Sequence, residues 1–279
     1  MLFGASVVAV RVAVEDIPPL DLAVLRFAQG AAVLLLVLAL RAPAQLKVNR
    51  ADLPFLALLG AIFFSAFPLS FNTALRYTEA SRGAIVLATM PVWSIILGRL
   101  FARERLRPGQ IAGVVLTMAG VGLAVGNASV EAGTRDVLIG DSLMLLTAFL
   151  GALYGVLAKR ALTRYPPLTV TTYAMVIGTV LLLPAALPGG LAGATLFHGS
   201  NLELVLFLGV FGGAIAFFLW TLALSHLSPT RVAVYINLNP MVAALLGIIL
   251  LSERAETAFF IGFIAVVVGV YMVNAVSSR

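Results

Sequence analysis

From Leu20 to Leu40 the chain is apolar apart from Asp21, Arg26 and Gln29, and runs of this kind recur along its whole length. A helix needs about 20 such residues to cross the hydrocarbon of a bilayer. The runs predict spans at 1–14, 20–40, 53–74, 83–100 and 111–126, then at 137–158, 168–187, 202–223, 232–251 and 258–276. Strands of a membrane barrel would alternate over about ten residues, whereas these runs are continuous. With 61% hydrophobic and only 11% charged residues, the expectation is an all-α membrane protein of ten transmembrane helices. The first run is short for a span and lacks a basic flank, so residues preceding Met1 are expected.

Two of the spans are written alike. PVWSIILGRLFARERL begins at Pro91 and PMVAALLGIILLSERA at Pro240, an offset of 149 residues. The same offset pairs Gly98 with Gly247, Glu104-Arg105 with Glu253-Arg254, Gly113 with Gly262, Gly120 with Gly269, and Pro18 with Pro167. The chain is therefore expected to consist of two five-helix repeats, residues 1–130 and 137–279. Five is odd, so the second repeat enters the membrane upside down. The charges point the same way. With a cytoplasmic N-terminus, twelve basic residues fall in inner connectors or at inner ends and four, Arg76, Arg82, Arg135 and Arg254, in outer ones. The positive-inside rule then puts both termini in the cytoplasm. Inverted repeats suit alternating access to a site near the midplane, which predicts a transporter.

Two five-helix repeats, each with a proline-headed helix ending in Glu-Arg and followed by a glycine-spaced helix, resemble the EamA family of the drug/metabolite transporter superfamily. Within it the chain looks most like the bacterial amino-acid exporters of the YddG type. The resemblance implies export from the cytoplasm across a bacterial inner membrane, through a central cavity shared by the two halves.

Candidate cavity residues are polar or aromatic and deep in the spans. Phe67 and Phe71, with Phe64, share one face of the third span and Asn72 follows them; Phe217 and Trp220 form the corresponding stripe in the eighth. In YINLNP, Tyr235 and Asn239 share a face, and Asn237 and Asn239 are amides that need partners at membrane depth. Thr89 and Trp93 surround Pro91, and Tyr154 lies deep in the sixth span. Pro91 and Pro240 each remove an N–H in mid-span, which predicts two hinges with freed carbonyls at Leu87 and Ile236. Helix packing competes with cargo contact for each of these residues. Interface anchoring is expected for Arg11, through Glu15, and for Arg26, through snorkelling; attraction of an anion is the other role open to Arg26.

What the sequence lacks narrows the function. It has no cysteine, and its two histidines, His198 and His226, lie in or beside connectors, so neither metal sites nor cofactors are expected. There is no HExxH motif and no buried aspartate pair, so the chain is not expected to be an enzyme. Basic residues form no single patch, which argues against nucleic acid as a partner. All twelve acidic residues fall in connectors or at helix ends, which favours a facilitator over a proton exchanger with a buried carboxylate. A neutral, aromatic, amide-bearing cavity favours small neutral or zwitterionic metabolites, amino acids foremost. Another metabolite or drug-like cargo and a non-transporting scaffold are the alternatives, and a monomer in the lipid bilayer is the expected state.

Overall fold

The computed structural model describes residues 2–78, 80–101, 107–125, 135–189, 191, 201–239, 241–242 and 257–275. These residues are helical with short connections, and no strand occurs among them. The first half comprises α1 (Leu2–Asp16), α2 (Pro19–Arg41), α3 (Leu53–Gly60), α4 (Phe67–Tyr77), α5 (Ala80–Leu87), α6 (Met90–Phe101) and α7 (Pro108–Val125). The second comprises α8 (Arg135–Leu162), α9 (Pro167–Ala186), α10 (Asn201–Gly209), α11 (Ala216–His226), α12 (Pro229–Val234) and α13 (Thr257–Ala275). Five continuous stretches, at 19–41, 50–77, 135–162, 167–186 and 201–226, are long and apolar enough to cross a membrane, and three shorter apolar helices accompany them.

Local sequence explains the boundaries. Pro19 and Pro167 occupy first-turn positions of α2 and α9, where a missing N–H leaves no bond unmade. Helix α2 closes with Arg41, a cation at the negative end of the helix dipole. Both of its faces are apolar: Leu22, Phe27, Leu34 and Leu38 are buried, while Leu36 and Leu40 are 59% and 71% exposed. A helix this long and apolar on every side belongs in a membrane or a core and not against water.

The offset seen in the sequence recurs in the backbone. A π-helical turn at Ala61–Ala66 joins α3 to α4, and a second at Val210–Ile215, 149 residues on, joins α10 to α11. Such turns place one extra residue in a helix and often mark functional positions. The fourth span is interrupted at Ala88–Thr89, and a 3-10 turn at Tyr235–Leu238 follows α12 at the matching place. Helices α7 and α13 pack closely through their glycines. Added Cβ atoms at Gly113 and Gly120 would stand 2.8 Å from the carbonyl oxygens of Gly269 and Gly262 respectively, so the two helices run antiparallel.

The interruption lies immediately ahead of Pro91. The Thr89 hydroxyl donates to the Val86 carbonyl at 2.7 Å, and the Val92 N–H donates to the Thr89 carbonyl at 2.9 Å. One helix thus ends at Leu87 and another begins at Met90, so Pro91 sits in a first turn where it is tolerated. Pro240, Glu104-Arg105, Glu253-Arg254 and half of the ninth span lie outside the described residues.

Candidate functional site

A cavity of about 550 Å³, open space at its mouth included, lies between the two halves. Phe3, Ser6 and Val7 of α1 and Arg26 and Phe27 of α2 form one side. Phe63, Phe67, Pro68 and Phe71 come from the third span, Leu87 and Met90 from either side of its neighbour's interruption, and Phe217, Trp220, Ile236 and Asn239 from the second half. Four pairs of these residues are 149 apart: Pro68 and Phe217, Phe71 and Trp220, Leu87 and Ile236, Met90 and Asn239.

The walls are held by edge-to-face aromatic contacts, the arrangement favoured by ring quadrupoles. Phe217 meets Phe63 at 5.0 Å, Phe3 at 5.2 Å and Phe27 at 5.3 Å between centroids. Behind Phe63 lies Tyr154, parallel to it at 3.9 Å, with its hydroxyl 3.0 Å from that of Thr221. Tyr154 is fully buried and does not reach the cavity.

Of the eleven candidate contacts, Phe67, Phe71, Phe217, Trp220 and Asn239 line this cavity. The structure places the others elsewhere. Asn72 donates to the Pro19 carbonyl at 3.1 Å, and Trp93 packs edge-on to Phe149 at 5.5 Å. Thr89 spends its hydroxyl on Val86, while Tyr235 is 42% exposed and outside the lining. Asn237 is wholly buried and donates to Thr117 of α7 at 2.8 Å, a bond between helices. Asn237→Ala is therefore expected to lower unfolding stability by about 1 kcal/mol, the usual worth of such a bond in a membrane, and to leave cargo affinity unchanged. Thermal unfolding of Asn237→Ala, Thr117→Val and the double variant in detergent checks this, because partners in one bond are non-additive.

Arg26 is the largest departure from the sequence reading. It does not reach for the interface. It is 4% exposed, and its Nη2 donates to the Gly212 carbonyl in the second π-helical turn at 2.7 Å. The guanidinium lies 5.0 Å from the ring centre of Phe27 and 5.6 Å from that of Phe217. Gly212 permits this approach, since a Cβ there would collide with the Ser6 hydroxyl and crowd Arg26. The helix turns Arg26 inward with Leu22 and Gly30, one turn away on either side, on the face that packs against the protein. No acidic residue stands three or four positions from it along α2, which was the available signal that it would not pair locally. Arg11, by contrast, pairs with Glu15 at 3.4 Å as expected.

At the ends of the molecule two connectors are fastened to two others. Asp52 meets the Arg164 guanidinium at 2.7 Å and accepts from the Tyr165 hydroxyl at 2.7 Å, and Tyr165 in turn accepts from the Asn49 N–H at 3.1 Å. The Asp52 carboxylate, by holding that proton, raises the Tyr165 phenol above its ordinary pKa. Moving both partners by 149 residues gives Asn201 and Asp16, and the Asn201 amide donates to Asp16 at 3.1 Å.

The model of the EamA-like transporter family matches residues 1–126 and 138–275. The chain belongs to this EamA-like transporter family. An uncharacterized transporter of Archaeoglobus fulgidus is 31% identical over 277 residues, 99% of this chain and 94% of its own. A protein of Streptantibioticus cattleyicolor named as a probable terminal-alkyne amino-acid exporter is 30% identical, over 80% of this chain and 73% of its own. A solved crystal structure superposes with a TM-score of 0.77 over 98% of this chain and 96% of that one, at 20% identity, which speaks for the fold. This EamA-like protein is thus a multi-pass membrane transporter of a small molecule, and its relatives are named as transporters and not as enzymes.

Proposed function

We propose that this transporter exports small neutral or zwitterionic metabolites, foremost amino acids with large apolar or aromatic side chains, by alternating access to the cavity between two inverted five-helix repeats. The repeats are residues 1–130 and 137–279, in a bacterial inner membrane with both termini cytoplasmic. The observation that carries this reading is the composition of the cavity wall, where four residue pairs related by the repeat offset stand on a common space. A site on the symmetry axis of two opposed units is where each conformation can be exchanged for its mirror counterpart. The antiparallel packing of α7 and α13, equivalent helices of the two units, supports the inversion.

The rest of the wall breaks the symmetry in an informative way. Phe3, Ser6, Val7, Arg26 and Phe27 line the cavity, while their counterparts at +149, Ala152, Gly155, Val156, Met175 and Val176, do not. On that side Tyr154 stacks on Phe63 and fills the space. One-sided access about a symmetric centre is what a single state of an alternating transporter requires, and in the opposite state α8 and α9 would take over the role of α1 and α2. The aromatic wall suits an apolar cargo body, and a relative named as an amino-acid exporter supports the class.

Counterflow of a labelled amino-acid panel in proteoliposomes tests the reading. Exchange is expected with phenylalanine, tryptophan or leucine, without a pH gradient; no exchange of any member would refute it, and an absolute need for the gradient would refute facilitation. The two connector clasps are assigned to gating at opposite faces. An exposed pair of this kind is worth up to about 1 kcal/mol, so Asp52→Ala is expected to raise labelling of Met90→Cys by an aqueous maleimide from the Asp52 face by up to about fivefold. The absence of native cysteine makes that readout unambiguous, and equal labelling with and without Asp52 would remove the gating role.

A further inference from the structure

Seven buried side-chain polar atoms lack a hydrogen-bond partner among the described residues, the Thr78 and Ser94 hydroxyls, both off the cavity wall, among them. Among the described residues, the side-chain atoms that can only accept, Oε1 of Gln29 and Oδ1 of Asn72 and Asn237, belong to residues outside the cavity wall. Those on the cavity wall are Arg26 Nε and Trp220 Nε1, and both can only donate. A buried donor left unpaired is destabilising, and a buried guanidinium facing no carboxylate more so. Arg26 forms no ion pair among the described residues; a single carbonyl and two ring faces are its company. About seven residues into α2 at 1.5 Å each, it stands roughly 10 Å from the start of that helix. Apart from Ser6 and Asn239, the remaining wall is aromatic and aliphatic.

We propose that the cavity is a carboxylate site, in which the Arg26 guanidinium supplies the counter-charge and the Trp220 indole N–H a second donor, while the phenylalanine rings hold an apolar cargo body. The inference rests on the cavity being the cargo site and sharpens it: a free carboxylate becomes the group that the site selects. Planar guanidinium geometry matches a carboxylate in two parallel bonds, which an amide or ester of the same cargo cannot reproduce. A lipid phosphate offers similar acceptor chemistry, so the experiment separates the two sources.

Transport and binding are read separately. In proteoliposomes the KM of phenylalanine is compared with that of phenylalaninamide. In detergent, thermal stabilisation by phenylacetate is compared with that by phenylacetamide, inorganic phosphate and added phosphatidylglycerol. The wild type is expected to prefer the carboxylate of each pair by about tenfold or more, as the loss of a buried charged partner commonly produces. Arg26→Gln is expected to bring that ratio close to one, and Arg26→Lys to keep part of it. The ratio separates recognition from a role in propping up Gly212, which would weaken both ligands of a pair alike. Trp220→Phe, which leaves Arg26 intact, is expected to reduce the preference by a few-fold, and serves if Arg26→Gln does not fold. Equal handling of carboxylate and amide by the wild type, or an undiminished preference in Arg26→Gln, overturns the proposal. So does stabilisation by phosphate or phosphatidylglycerol alone. Phenylacetate binding that depends on Arg26, without transport of any amino acid, would leave the carboxylate site standing while the amino-acid reading fell.

Discussion

Gly178→Leu is expected to abolish recovery of folded protein. Helices α3 and α9 cross at Gly60 and Gly178 with their backbones in direct contact. A Cβ on Gly178 would lie 2.5 Å from the Gly60 carbonyl oxygen and 2.6 Å from the Phe64 Cβ, and one on Gly60 would collide with the Ala174 carbonyl. Neither neighbour is the end of a flexible side chain, so relief requires the helices to part. Their separation would also break the bond, 2.7 Å long, from the Ser65 hydroxyl within the first π-helical turn to the Gly178 carbonyl. Overpacking of this kind typically costs about 1–3 kcal/mol; Gly178→Ala is expected near the top of that range and the leucine well beyond it. Gly122→Ala is the control, because nothing lies within 4 Å of a Cβ there, and helix propensity alone should make it neutral or slightly stabilising. Monodisperse yield and unfolding midpoint in detergent are the measurements, and a Gly178→Leu protein as stable as Gly122→Ala would disprove the close crossing.

The second large effect is expected at Tyr154. Its ring is fully buried, parallel to Phe63 and edge-on to Phe64 at 6.2 Å, and it forms the partition behind the cavity. Truncating a large buried side chain removes its contacts and leaves a void, at about 3–5 kcal/mol for aromatic residues. Tyr154→Ala is expected to fall in that range, whereas Tyr154→Phe loses only the link to the Thr221 hydroxyl, at about 1 kcal/mol. Equilibrium unfolding of both variants separates packing from hydrogen bonding, and equal losses would mean that the hydroxyl and not the ring holds the partition.

Apolar run length was enough to place the five long spans, because every span must satisfy its backbone internally whatever its neighbours are. Spacing also brought Phe67 and Phe71 together on one face, and the offset tied Trp220 to Phe71. Orientation was less legible. Helix α2 is apolar on all sides, with Leu38 buried and Leu40 exposed, so hydropathy could not say whether Arg26 faced lipid or protein. Asn237 looked like a cargo contact because its partner, Thr117, is 120 residues away. The π-helical turns were hidden for a different reason. AIFFSA and VFGGAI share little sequence, and a shift of backbone hydrogen bonding by one residue leaves no side-chain signature of its own.

The seam between α7 and α13 has a consequence for assembly. Gly113 lies on Gly269 and Gly120 on Gly262, while the repeat relates Gly113 to Gly262 and Gly120 to Gly269. Each half therefore offers the other the surface that it receives, as the protomers of a twofold dimer do. A self-complementary surface recognises any copy of itself, including one on a neighbouring molecule. Joining the halves in one chain resolves that competition, because tethered partners meet at an effective concentration of about millimolar, far above that of a second molecule. Tethering thus favours the partner in the same chain over one on a second molecule, even where the seam itself is weak.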